Sequence, residues 1–138
     1  MQTVKAAKEG QREFMVPDIY DVTLLENFLP LKDSYTYEDY AKLPEGAPYQ
    51  LIGGELIMTP SPTPYHQKIS AEISFRLISF VKDKKLGEVF VAPLDIYLSD
   101  KDVYQPDIIF ISKERQEIIG KRKIEGAQDM VIEILSPF

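Results

Sequence analysis

Asp107 and Glu133 each stand inside an otherwise apolar run, Gln105-Pro106-Asp107-Ile108-Ile109-Phe110-Ile111 and Met130-Val131-Ile132-Glu133-Ile134-Leu135. An ionised carboxylate in such company is costly unless a cation or hydrogen-bond donors compensate it. Neither run contains Lys or Arg. A shared divalent cation, Mg²⁺ or Mn²⁺, answers this electrostatic problem, because hard cations take oxygen ligands and keep several waters, so two or three carboxylates suffice. Metal-carboxylate sites of this type carry out phosphodiester chemistry. Asp107 opens its strand after Pro106 and Glu133 is expected mid-strand. Adjacent strands lie about 5 Å apart, which brings two such groups within reach of one ion. A single buried carboxylate is more often bonded to backbone or paired with a distant Arg. Three on apolar strands of one small chain shift the balance toward a site.

The third is Glu55. Tyr49-Gln50-Leu51-Ile52-Gly53-Gly54-Glu55-Leu56-Ile57-Met58 reads as a β-hairpin turning at the two glycines. In that register Ile52 faces Glu55 and Leu51 faces Leu56, so Glu55 shares a sheet face with Ile52 and Ile57. His66 is the only histidine. It precedes Ile69 and Ile73 by three and seven residues, on the inward stripe of a helix. There it serves either as a cap or satisfied core group, or to orient a phosphate, a water or a carboxylate. The absence of cysteine excludes a thiol nucleophile, a disulfide framework and a thiolate metal site. No serine lies in a nucleophile elbow and no glycine run forms a phosphate cradle.

The elements that must position these groups follow from pattern. Residues 1–34 read as an N-terminal extension, polar up to Val16, with a short docking helix from Asp18 to Leu29 that Pro30 ends. Ser34 to Asp39 supply cap residues and early acids for a second short helix to about Leu43. After the hairpin and the prolines from Pro60 to Pro64, a long helix is expected over about Tyr65 to Lys84, with Ile69, Ile73, Leu77, Phe80 and Val81 buried. Two strands follow, about Glu88 to Ala92 and Leu94 to Leu98, then the Asp107 strand, a polar basic connection and the Glu133 strand. The order β-β-α-β-β-β implies an α/β or α+β sheet covered by at least one helix.

The 138 residues suffice for one domain with a single core. No apolar stretch approaches the length of a membrane span, and the first fifteen residues lack the apolar core of a signal peptide, so a cytoplasmic protein is expected. A net charge of −6 argues against a protein that grips nucleic acid mainly by charge. The excess is local, however. Nine acids against three bases lie between Arg12 and Glu55, and the remainder is balanced. Lys82-Asp83-Lys84-Lys85 and the segment Lys113 to Lys123 are basic runs, each either a solvated surface or a phosphate contact.

Tyr49 to Leu56 with its Gly-Glu-Leu, His66 opening a helix, Gln105-Pro106-Asp107, and Ile132-Glu133-Ile134-Leu135-Ser136-Pro137 together resemble the Uma-two family. These are restriction-endonuclease-like proteins of cyanobacteria and other bacteria. The resemblance runs from about Tyr35 to Pro137. It implies a domain at 35–138 similar to the PD-(D/E)XK nuclease superfamily: a mixed β-sheet flanked by helices, cutting DNA with a divalent metal. It further implies that Asp107 is the first metal-binding aspartate, Glu133 the acid of the second motif, Glu55 an additional acid of the site, and His66 a recurrent histidine at the head of the long helix. Asp95 and Gln105 are near-site candidates.

Two departures bear on activity. Where the superfamily places lysine, two positions after Glu133, this chain has Leu135. The resembling family supplies that lysine from a helix after Ser-Pro, so the resemblance implies a C-terminally shortened domain without its final helix and strands. Lys68 and Lys123 are the alternative donors. The competing expectations are a Mg²⁺-dependent endonuclease, an inactive relative that binds nucleic acid or pairs through an exposed sheet edge as a homodimer, and an interaction domain without a site.

Overall fold

Gly53 and Gly54 both have positive φ, 58° and 80°, a conformation that closes a two-residue hairpin and that other residues resist. The strands they join are β2 (Tyr49–Ile52) and β3 (Glu55–Met58), paired with Leu51 opposite Leu56 and Ile52 opposite Glu55, the register expected from the sequence. The protein is described by a computed structural model covering residues 28–135 and the backbone of Gln2–Val4. The docking helix expected from Asp18 lies outside the described residues up to position 27.

The chain divides into two units. The first comprises residues 1–60 and 98–104, the second 61–97 and 105–138. In the first unit, β1 (Gln2–Val4) pairs antiparallel with β3, β3 with β2, and β2 with β6 (Asp102–Tyr104). Leu51, Leu56 and Val103 are wholly buried here, and Met58, Leu29 and Tyr35 nearly so. Helix α1 is a single turn, Tyr37–Tyr40, shorter than expected. Its Asp39 is 2% exposed yet keeps its charge. Burial opposes ionisation, but Lys32 Nζ at 2.7 Å and the Thr36 N–H at 3.0 Å outweigh it and hold the carboxyl below its usual range. Asp102 accepts the Gly53 N–H at 2.9 Å and the Ser99 hydroxyl at 2.7 Å, pinning the hairpin turn.

The second unit starts with α2 (Pro64–Lys84). Thr63 caps it by accepting the His66 backbone N–H at 3.1 Å, and Pro64 takes the first helical position, where its missing N–H is harmless. Lys85 leaves the helix in the left-handed conformation, behind Lys82 and Lys84, whose charges suit the helix C-terminus. The buried face is the expected one except at a single position. Val81 is 3% exposed, Ile69, Ile73 and Leu77 are half-buried, and Ser74, at 9%, lies beside them, but Phe80 is 51% exposed. Phe80 turns outward with Lys84 Nζ 5.4 Å from its ring centre.

Helix α2 packs on β4 (Gly87–Val91), which pairs antiparallel with β7 (Ile108–Ser112), and β7 pairs antiparallel with β9 (Met130–Ile132). β5 (Ile96–Ser99) pairs in parallel with β8 (Ile124–Glu125) at Ile96–Ile124 and Tyr97–Glu125. Ile96, Ile109, Ile111 and Ile124 form the core of this unit, with Phe90, Leu94, Ile118 and Ile119 packed around them. The connection after β7 is more ordered than its polar sequence suggests. It forms a 3₁₀ helix over Lys113–Ile118 and then β8. At its far end Asp129 accepts the Ser112 N–H at 2.7 Å and faces Arg115 Nη1 at 3.3 Å, while its own N–H donates to Phe110 O at 3.0 Å. The fold is thus α+β, mixing antiparallel and parallel strands with flanking helix.

Candidate active site

β7 and β9 run antiparallel with Ile108 opposite Ile132. One further step along that ladder sets Asp107, just before β7, against Glu133, just after β9. Glu133 is therefore not mid-strand as expected, because regular pairing ends at Ile132. The two carboxylates flank the end of the sheet, where side chains meet solvent on one side and the apolar strands on the other.

Three contacts fix Asp107. The Ile134 N–H donates to its Oδ2 at 2.7 Å. His66 Nε2 stands 3.3 Å from the same oxygen, an ion pair whenever the imidazole is protonated. The Asp107 backbone carbonyl accepts the Ala92 N–H at 2.9 Å, tying the site to the end of β4. The side chains of His66 and Asp107 are only 14% and 17% exposed. His66 Nδ1 is buried without a hydrogen-bond partner among the described residues. A buried polar atom without a partner is uncommon and marks a place where a ligand or water gains a bond.

Glu133 carries the strongest electrostatic signature of the unit. Its pKa is pushed up to about 7, first by burial, then by the negative charge of Asp107 and by a hydrogen bond between the two carboxyls, with His66 opposing. Glu133 is exposed as a residue. Its carboxyl end, turned toward Asp107, is nonetheless partly withdrawn from water, and those surroundings govern its titration. A carboxyl–carboxyl hydrogen bond requires one proton between the pair. Asp39 shows the contrast: a buried aspartate given its own lysine. Asp107 and Glu133 have no ion pair with Lys or Arg among the described residues.

The structure thus gathers Asp107, Glu133 and His66 in the second unit. Glu55 belongs to β3 of the first unit, half-buried on the face shared with Ile52 and Ile57. Gln105 Nε2 donates to Asp95 Oδ1 at 2.7 Å, so the two near-site candidates are partners of each other. The sequence reading missed the Ile134 N–H, a backbone donor that no side-chain pattern announces. Among the described residues no group of three His, Asp or Glu side chains stands ready to hold a metal ion. The donor chemistry nevertheless suits a hard cation, since two carboxyls kept together by a shared proton are what a divalent ion would bind in the proton's place.

Comparison with known proteins places the fold in a family. Residues 37–137 match the model of the Uma2 family, described as "Putative restriction endonuclease". A solved structure from Anabaena variabilis ATCC 29413, described as "a putative nuclease belonging to DUF820", superposes with a TM-score of 0.62 at 31% sequence identity. The match covers 74% of this chain and 59% of that one, so the chain spans well under two thirds of that protein's length. No curated protein matches the chain. With the match running over most of its length, the chain belongs to the Uma2 family and has the fold of these restriction-endonuclease-like proteins.

Proposed function

We propose that this protein is a divalent-metal-dependent DNA endonuclease in which Asp107 and Glu133 hold Mg²⁺ or Mn²⁺. One observation carries the reading: two carboxyls face each other across a sheet end with Glu133 raised to about 7 beside Asp107, and among the described residues neither has the Lys or Arg partner that a structural carboxylate such as Asp39 possesses. When bound, the ion supplies Lewis-acid stabilisation of phosphate charge and a more acidic water. The chain's own groups set the stage. The Ile134 N–H and His66 both address Asp107 Oδ2, which fixes the carboxyl plane and leaves its orientation little freedom. His66 places an imidazole beside the carboxyl pair, where it can hold or pass a proton near the scissile phosphate. Glu55 joins the proposal through the family resemblance alone. Family membership supports DNA as the substrate class, and a cytoplasmic setting goes with it.

Nicking of supercoiled plasmid in Mn²⁺ tests this. Wild type should nick, and Asp107→Ala and Glu133→Ala should not. Equal activity in all three points to a contaminating nuclease and removes the reading.

A second reading is a catalytically silent relative that binds nucleic acid or self-associates as a homodimer. Two observations favour it. Leu135 occupies the position of the superfamily's motif lysine and is 88% exposed. Among the described residues β9 pairs with β7 alone, and it exposes 45% of Val131 and 39% of Met130. An unpaired edge of this kind invites strand addition from another copy. Sedimentation velocity separates the cases: a monomer across the accessible concentration range excludes edge pairing.

A further inference from the structure

We infer that the turn Gly120–Lys123 is the phosphate-contacting element of this protein, with Lys121 and Arg122 gripping the backbone of duplex DNA beside the Asp107–Glu133 pair. The inference rests on the nuclease reading for its choice of partner. The fold sorts the basic residues in a way their sequence order conceals. Lys82, Lys84 and Lys85 lie at the C-terminal end of the 21-residue α2, about 24 to 28 Å along its axis from His66. Lys113 is beside them, its N–H bonded to Leu86 O, and Arg115 is engaged with Asp129 at the start of β9. These charges sit at the end of the β4–β7–β9 sheet opposite the carboxyl pair.

Lys121 and Arg122 lie elsewhere. Ile119 and Ile124 bridge across the turn, and Gly120 N–H donates to Lys123 O at 3.0 Å. The turn is that tight only because position 120 is glycine: a Cβ there would come within 2.8 Å of the Lys123 carbonyl oxygen. Ile118, Ile119 and Ile124 root it in the core of the unit. Beyond it, the Ile124 N–H donates to Asp95 O at 2.9 Å, and the Asp95 carboxylate receives Gln105, two residues ahead of Asp107. Short bonded steps therefore lead from the basic turn to the candidate site. Lys123 is drawn inward, 3.6 Å from Glu125 and 5.7 Å from the Tyr97 ring centre, leaving the exposed Lys121 and Arg122 as the outward charges. A rigid turn carrying two cations, linked through Asp95 and Gln105 to the segment that leads into Asp107, suits, in an acidic protein, a polyanion that must be steered to one place. Asp95, which accepts from Ile124 through its carbonyl and from Gln105 through its carboxylate, ties the far side of this turn to the segment leading into β7.

The test is anisotropy of a short fluorescein-labelled DNA duplex, with Ca²⁺ in place of Mg²⁺, on wild type, Lys121→Glu/Arg122→Glu and the control Lys84→Glu/Lys85→Glu. Circular dichroism checks that each is folded. The turn variant should bind about tenfold more weakly, and the slope of log affinity against log salt should fall by about 2. The control should match wild type. Unchanged affinity and slope in the turn variant, equal weakening in the control, tighter binding to an RNA duplex of the same sequence, or no duplex binding by wild type would each overturn the inference. Plasmid nicking on the same proteins keeps the two claims apart. Turn-dependent binding without nicking by wild type leaves the turn standing and removes the nuclease. Nicking and binding unaffected by the turn variant does the reverse.

Discussion

Asp107 and Glu133 are cross-strand neighbours one step past the Ile108–Ile132 pair, and burial together with the charge and carboxyl of Asp107 raises Glu133 to about 7. In the metal-free protein this makes stability depend on pH with a definite sign. Folded Glu133 keeps its proton where the unfolded chain, with an ordinary value of 4.5, has lost it. The stabilisation is therefore complete below about 4.5 and gone above about 7, so stability declines across that window as pH rises. Urea midpoints at pH 5 and pH 7.5 should show the decline in wild type and a smaller one in Glu133→Gln. An identical decline in both would assign it to other groups.

In the proposed metal site a cation would have to displace the proton that Glu133 keeps up to about pH 7. Mn²⁺ affinity should fall about tenfold for each pH unit below 7, with about one proton released on binding at pH 6. Calorimetry in two buffers of different ionisation enthalpy measures that proton directly. Asp107→Ala should abolish binding, and retention of wild-type affinity would refute the ligand assignment.

His66 Nε2 lies 3.3 Å from Asp107 Oδ2, and in the proposed site it positions that carboxyl. Its replacement by Ala should lower nicking about 10- to 100-fold while leaving weak metal binding, as loss of a ligand's supporting group commonly does. Glu55→Ala tests the residue brought in by resemblance. Wild-type turnover there would confine the site to the second unit.

The outward turn of Phe80 on α2 yields a stability contrast. Val81→Ala, at 3% exposure, should cost about 2 kcal/mol, and Phe80→Ala, half exposed, less than about 1 kcal/mol despite removing a larger side chain. Ile111→Ala, wholly buried, should cost about 2 to 5 kcal/mol. Equilibrium urea unfolding ranks the three, and a larger loss at Phe80 than at Val81 would restore the stripe expected from the sequence.

Much of this was legible in the sequence because a few residues leave little choice. Gly53-Gly54 between apolar runs admits one tight turn, and that turn sets the whole register of Tyr49–Met58. Thr63 and Pro64 mark where the long helix begins. Asp107 and Glu133 stood out because charge in an apolar run demands a reason. Other features depend on tertiary partners. β1 and β6 are three-residue strands that exist through their neighbours, and nothing in the polar residues 1–16 marks the first. Periodicity places Ile69, Ile73, Leu77 and Val81 on the inward side of α2, but Phe80 stands at the margin of that stripe, and only the tertiary partners turn it outward. Asp39 escaped notice because its lysine is seven residues away and its neighbours are polar.

The bonds that Asp129 makes to Ser112 and Arg115 acquire a larger meaning at the opposite end of the sheet. Three residues of β9 are too few to define their own alignment with β7. Asp129 is the anchor that denies the strand a slip of one residue, and such a slip would swing Glu133 to the other side of the sheet and part it from Asp107. A surface aspartate with no chemistry of its own thus helps keep two acids at the far end of the sheet face to face.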